Sequence, residues 1–263
     1  MQPQQSNTVS PTAIKESLNR AEQAQAAVEA RRKQEPKSAE PTKLSEDTPK
    51  TKGLCSLDAE AWEERRLAGL AREREIEEHQ RISRAGMLLG ESGLPARHLK
   101  ALDETDQSGP WAAALAKAWE HVEQGNCVLL AGSRGRGKTQ IATACGVRMT
   151  EKPKPVYYTN ASQLYRDCRE GMHQGKETRV LNRFRNVALL IIDECHVRGE
   201  TDYEDRTLTE IVNDRYGAGK PTILITNQNK ADASQSLGAS IVSRLHESGL
   251  TIETNWKSFR GHA

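Results

Sequence analysis

Gly132-Ser133-Arg134-Gly135-Arg136-Gly137-Lys138-Thr139 has the residue types and spacing of a phosphate-binding loop, G-x-x-x-x-G-K-[ST]. The glycines let successive backbone N–H groups curl around a polyphosphate at a helix N-terminus, Lys138 neutralises the β and γ oxygens, and the Thr139 hydroxyl ligates Mg²⁺. A dinucleotide fingerprint would need glycine where Gln140 stands, so that reading is excluded. Asp193 and Glu194 close the apolar run Ala188 to Ile192. Beside a phosphate loop, Asp193 would hold a Mg²⁺-bound water and Glu194 would act as general base on the attacking water. Taken alone, the same pair would serve equally as a helix cap. Asn227, at the end of ILIT, can orient that water or touch the γ-phosphate; its bland alternative is a turn residue. Arg244 is a candidate arginine finger for a neighbouring subunit's nucleotide, with surface salt bridging as its rival. Cys195-His196 reads as a loop after a strand, because adjacent residues of a regular strand cannot both face one substrate.

Short apolar strands alternating with helices must position these groups. NCVLLA precedes the loop and TQIATACGV follows it as a helix; PVYYTNA, NVALLIIDE, PTILITNQN and LTIETN supply four more strands. That alternation predicts an α/β fold with a parallel sheet flanked by helices. Ahead of it, the helix Pro110 to Gln124 lines Trp111, Leu115, Trp119 and Val122 along one face, as core residues. Ser56 to Met87 reads as a long charged helix whose thin seam of Trp62, Leu70, Ile76 and Met87 suits docking on a partner; SGLPAR breaks it. Residues 1–54 hold five of the ten prolines and no aromatic residue, the composition of a disordered tail, in which Ile14, Leu18, Ala21 and Val28 could line a partner-induced helix. The expected plan is a tail over 1–54, a helical partner-binding region over 55–104, and an ATPase domain over 105–263.

The formal charge of the 263 residues is +2, and the tail, with nine basic and seven acidic residues, carries all of it. A uniformly basic nucleic-acid coat is therefore ruled out, and any such site must be a local patch. The five cysteines are scattered without a C-x-x-C pair, which supports neither a disulfide framework nor a zinc knuckle. The longest apolar run, Val187 to Ile192, is far short of the ~20 residues of a membrane span, and the N-terminus lacks a signal-peptide layout. A soluble, cytoplasmic protein is the expectation.

The assembled order of phosphate loop, LLIIDE, NDRYGAGKPTILITN, LGASIVSRL and a terminal NWKSFRG closely resembles the DnaC/IstB-type AAA+ ATPases over residues 85–263. The resemblance implies an AAA+ P-loop domain without a full C-terminal lid. It implies that Lys138 and Thr139 bind ATP and Mg²⁺, that Asp193 and Glu194 are the Walker B pair, that Asn227 is sensor 1, and that Arg244 is the finger. Arg260 corresponds to a late arginine that serves such loaders as a sensor 2 element. Ser240 stands where the family often has a second arginine, and Arg134 and Arg136 occupy loop positions where small residues are commoner; they either bind phosphate or face solvent, Arg134 being the one assigned to solvent.

Loaders of this type grip single-stranded DNA through the helical insertion after the second strand. Here Ser162 to Asn186 carries six basic and three acidic residues, with Tyr165 and Phe184 available for stacking, although a solvated helical face has the same composition. Tyr165, Arg166, Arg169 and Lys176 are the candidate DNA contacts. The implied function is ATP-dependent loading of a DnaB-type replicative helicase onto single-stranded DNA, with self-association through the ATP sites and a bacterial or phage origin. The runner-up is an IstB-like transposition helper acting with a transposase on duplex DNA; further behind stand a nucleotide-gated binding module and, last, a small-molecule kinase.

Overall fold

Every residue of CVLLA and LLIID is buried in the computed structural model, as strands covered on both faces require. The structure describes residues 59–102, 109–197 and 201–259; the expected tail over 1–54 and Arg260 lie outside them. These residues fall into two compact units that divide between Ser83 and Arg84.

The first unit is the leading part of helix α1 (Ala59–Glu91). Glu63–Arg66 and Glu78–Arg81 pair at i, i+3 on its exposed surface, and the Arg81 guanidinium holds the Glu78 carboxyl below its ordinary value. Trp62, Leu67, Leu70 and Ile76 are exposed along it.

The second unit begins at Arg84 and contains the end of α1, α2 (Ala96–Ala101), α3 (Gly109–Glu123), β1 (Cys127–Ala131), α4 (Lys138–Glu151), β2 (Val156–Asn160), α5 (Ala161–His173), α6 (Glu177–Asn186), β3 (Leu189–Asp193), α7 (Asp202–Gly217), β4 (Thr222–Ile225), α8 (Lys230–Leu237), α9 (Ala239–Glu247) and β5 (Leu250–Glu253). The sheet runs β2-β3-β4-β1-β5 and all its pairings are parallel. Leu129, Leu190, Ile192 and Leu224 point into a core shared with α5 to α9, where Leu164, Tyr165, Phe184, Leu208 and Ile241 are buried. The opposite face is covered by α3 and α4. In the predicted core row of α3, Trp111, Leu115 and Val122 are buried; Trp119 is half-buried, with Arg148 and Lys152 over its ring.

Segment 84–102, grouped in the sequence with the N-terminal region, belongs to the second unit and packs on its core. Ala85, Ser92, Leu94 and Leu102 are buried, and Ser92 O accepts the N–H of Tyr158 at 2.8 Å along the outer edge of β2. SGLPAR breaks the helix without leaving this unit: the chain turns there to cover an open sheet edge.

Candidate nucleotide site

Parallel strands end together, so the loops after β1, β3 and β4 meet at one edge of the sheet. Cys195 N–H donates to Ile225 O at 2.9 Å, and Gly132 N–H donates to Gln228 O at 2.7 Å. These bonds stitch the three loops around a cavity of about 800 Å³, a size that suits a small-molecule ligand. Its lining includes the four cations Arg97, Arg134, Arg136 and Lys138 against the two carboxylates Asp193 and Glu194, a balance that favours a polyphosphate.

The loop's curl depends on two glycines. Gly132 has φ +125°, and a Cβ there would stand 2.5 Å from Thr254 Oγ1; Gly137, at φ +78° and heading α4, would press a Cβ to 2.8 Å from the Trp111 indole nitrogen. Lys138 is buried, its ammonium donating to Gly132 O at 2.6 Å and Ser133 O at 2.8 Å. Thr139 Oγ1 donates to Asp193 Oδ2 at 2.8 Å, which brings together the two oxygens predicted to serve Mg²⁺. A hydroxyl and a carboxylate are hard donors of the type Mg²⁺ takes, and an ammonium that donates to loop carbonyls can turn to phosphate oxygens; the residues fit ATP and Mg²⁺.

Glu194 is exposed beside the buried Asp193, with φ +52°, a backbone conformation that is strained for a residue other than glycine. Its N–H donates to Asp193 Oδ1 at 2.7 Å, so the carboxylate predicted to serve the metal also holds the turn that presents Glu194. Neither carboxylate caps a helix: α7 begins beyond them, capped by Thr201. Asn227 lines the cavity half-buried, two residues past β4. Gln140 lines it as well and donates to Ala101 O at 3.1 Å. Within the loop, Ser133 and Arg134 are exposed and Gly135 is half-buried.

Arg136 lines the cavity half-buried and donates through Nη1 to Thr254 O at 2.9 Å. The segment after β5 returns the contact: Trp256 Nε1 donates to Arg136 O at 3.0 Å and Phe259 N–H to Gly135 O at 2.9 Å. Trp111 is core and also site, its indole N–H donating to Gly137 O at 3.3 Å. Tyr158 is a further site residue that sequence reasoning passed over. Its hydroxyl donates to Asp193 Oδ2 at 2.8 Å, and burial, then the Asp193 charge, push the phenol well above its ordinary value. A Tyr-Tyr pair in a strand places one ring on each face of the sheet, and that alternation was the available signal.

Outside the cavity, Arg244 lies on α9, with its guanidinium 4.7 Å over the Tyr216 ring and Nη1 3.3 Å from Glu247. The basic insertion differs from its prediction. Tyr165 and Phe184 are 1% and 0% exposed, so neither can stack on a nucleic acid base at the surface. Ala161, Leu164, Tyr165 and Cys168 recur at helical spacing on the buried face of α5, a period that argues core. Arg166, Arg169 and Lys176 are exposed, Arg169 in an ion pair with the buried Glu204. The thiols of Cys127, Cys145 and Cys168 are pushed up to about 12 by burial, and His196 is lowered for the same reason. Among the described residues, no helix is long and apolar enough to cross a membrane.

DnaC, the replicative helicase loader of Escherichia coli (strain K12), is 30% identical over 154 residues that make up 56% of this chain and 63% of its own length. The match thus spans less than two thirds of that relative. The crystal structure of a DnaC helicase loader superposes with a TM-score of 0.55 at 24% identity, covering 61% of this chain and 100% of that one. AMPPCP-bound DnaA from Aquifex aeolicus also gives 0.55, at 22% identity, covering 63% of this chain and 52% of that one. These likenesses show the AAA+ fold. The family model of IstB-like ATP-binding proteins matches residues 56–262, and to that family of ATP-binding AAA+ P-loop proteins this chain belongs.

Proposed function

We propose that this protein is an ATP-dependent helicase loader: it binds a DnaB-type replicative helicase, places it on single-stranded DNA, and uses ATP binding and hydrolysis to control assembly and release. The observation that carries the chemistry is the meeting of Lys138, Thr139 and Asp193 in one cavity with Glu194 exposed beside them. The loading role draws its support from the similarity to DnaC.

Bound ATP with Mg²⁺ supplies the scissile phosphoanhydride and the charge that draws electrons toward the leaving phosphate. Lys138 exchanges its two carbonyl acceptors for phosphate oxygens, while Thr139 and Asp193 hold the metal. Glu194 takes the proton of the attacking water as Asn227 orients it. Arg244 is not part of its own chain's cavity lining, which suits a finger that reaches a neighbouring subunit's nucleotide. Self-association through the ATP sites follows from that role. The exposed cations Arg166, Arg169 and Lys176 are the DNA contacts, acting through phosphate charge rather than base stacking. The seam of Trp62, Leu70, Ile76 and Met87, exposed on α1, is the helicase contact.

The test is ATP turnover and assembled mass, with and without single-stranded DNA and a replicative helicase from the same source. An ATP-dependent helicase complex with DNA-stimulated turnover is expected. Glu194→Gln should lower turnover by about 10²–10⁴-fold and leave ATP binding intact. Turnover without any helicase complex would overturn the loader role in favour of a transposition helper, and no turnover at all would reduce the site to a nucleotide switch.

A further inference from the structure

The hydroxyl of Tyr158 and that of Thr139 both donate to the same oxygen, Asp193 Oδ2, each at 2.8 Å, while Oδ1 takes the Glu194 N–H. Thr139 belongs to the phosphate loop and its oxygen is the one predicted to ligate metal. Tyr158 belongs to β2 and reaches Asp193 along one face of the sheet: it pairs in register with Ile191, two residues before Asp193. That face is the one that packs on α4, where Ile191 approaches Gly146. The phenol's base is fixed from the other side, because the Tyr158 N–H is taken by Ser92 O at 2.8 Å and Ser92 is itself buried, its hydroxyl donating to Leu89 O and accepting from Leu94 N–H. An aromatic side chain with its backbone clamped and its tip on a carboxylate leaves that carboxylate little freedom to rotate.

We propose that Tyr158 is a positioning residue for the Mg²⁺ site: its hydroxyl holds the Asp193 carboxylate in the orientation that serves the metal, and goes on holding it when the Thr139 oxygen turns from Asp193 to the ion. The inference rests on the reading of the cavity as an ATP–Mg²⁺ site. It assigns the segment 92–94 a part in that site, since Ser92 fixes the strand position from which the phenol reaches.

The experiment is a Mg²⁺ titration of fluorescent ADP-analogue binding to the full chain, beginning from EDTA, for the wild type and Tyr158→Phe. Phenylalanine keeps the ring and loses only the donor. The half-saturating Mg²⁺ concentration is expected to rise about tenfold, the lower end of the range for groups that orient a metal ligand, with affinity in EDTA and the melting temperature unchanged. In an Asp193→Asn background, where the Mg²⁺ effect is lost, Tyr158→Phe should add nothing. An unchanged half-saturation overturns the proposal. So does a parallel fall of affinity with and without Mg²⁺, which is the mark of a packing role. A wild type that binds no nucleotide at all would instead sink the reading of the cavity itself, so the two failures are distinguishable.

Discussion

Two buried cations sit at opposite ends of the sheet, and both are held by oxygen acceptors. Lys138, at the edge where β1 ends, donates to two carbonyls of a glycine-bearing loop. Arg215, at the edge where β3 and β4 begin, is fully buried and donates to six acceptors: the carbonyls of Phe184, Arg185, Val187, Ala188 and Pro221, and the Thr222 hydroxyl. Burial pushes Arg215 down to about 10, which leaves it charged at neutral pH. The difference lies in how replaceable the acceptors are. The Arg215 acceptors end α6 and precede β3 and β4, so its planar fork fixes two connections and every one of its N–H groups is used. These Lys138 acceptors belong to a loop already bent to receive something, and the ammonium loses little when phosphate oxygens take the place of its carbonyls. A buried charge whose partners fix two connections is structure; one that donates to the carbonyls of a bent loop is poised for a ligand.

Exchanging the two roles is the sharpest way to break this comparison. Arg215→Ala removes the guanidinium from six acceptors, of which Arg185 O and Pro221 O keep a second donor, and should cost about 3–5 kcal/mol in urea unfolding, or about 10 °C or more in Tm. A loss below ~1 kcal/mol would mean that water replaces the guanidinium and that the connections hold themselves. Lys138→Ala should do the reverse. Nucleotide affinity falls by about a hundredfold, from the loss of charge-assisted bonds to phosphate, while the unfolding free energy moves by less than ~1 kcal/mol. If Lys138→Ala unfolds the domain as readily as Arg215→Ala, the lysine is a structural cation and the exchange argument fails.

The two cations were not equally legible. Lys138 announces itself because the phosphate loop is a local pattern of eight residues, and the strand and helix beside it follow from local apolar runs. Asp193 and Glu194 were legible for the same reason, one strand carrying both. Arg215 sits in NDRYGAGKP, where nothing nearby in sequence shows that its partners begin 31 residues upstream. Arg136 and Trp256 meet across 120 residues, and Tyr158 and Asp193 across 35. Such contacts are decided by strand order and by which loop crosses which edge, not by spacing. The aromatic residues of the insertion are a different case. Helical phase put Tyr165 on the apolar face, and composition without phase made it look available. Most of the fold and the phosphate-loop and Asp193-Glu194 parts of the site were therefore local information; the groups that brace the site are tertiary.

A smaller effect sharpens the comparison through two buried thiols, one beside Arg215 and one on the helix that carries Lys138. Cys127, at the start of β1, feels the Arg215 charge, and Cys145 lies on α4, the helix that Lys138 begins; burial pushes both thiols from 9.0 up to about 12. In the unfolded chain such a thiol loses its proton from about pH 9, while the folded chain keeps it, so the native state binds more protons and stability falls as pH rises through that window. Arg215 opposes this only at higher pH: its folded value of about 10 lies below the ordinary 12.5, so the unfolded state holds the extra proton between them. From pH 8 to 10, then, the thiols should dominate this balance. Each contributes a decline of about 1 kcal/mol per pH unit above 9. Cys145→Ala should remove one such contribution, flattening the pH dependence of urea unfolding by that amount while shifting stability at pH 7 by a separate, pH-independent packing cost. A Cys145→Ala variant whose unfolding free energy runs parallel to that of the wild type up to pH 10 would show that water reaches this thiol, and that the interior beside the phosphate loop is wetter than the interior around Arg215.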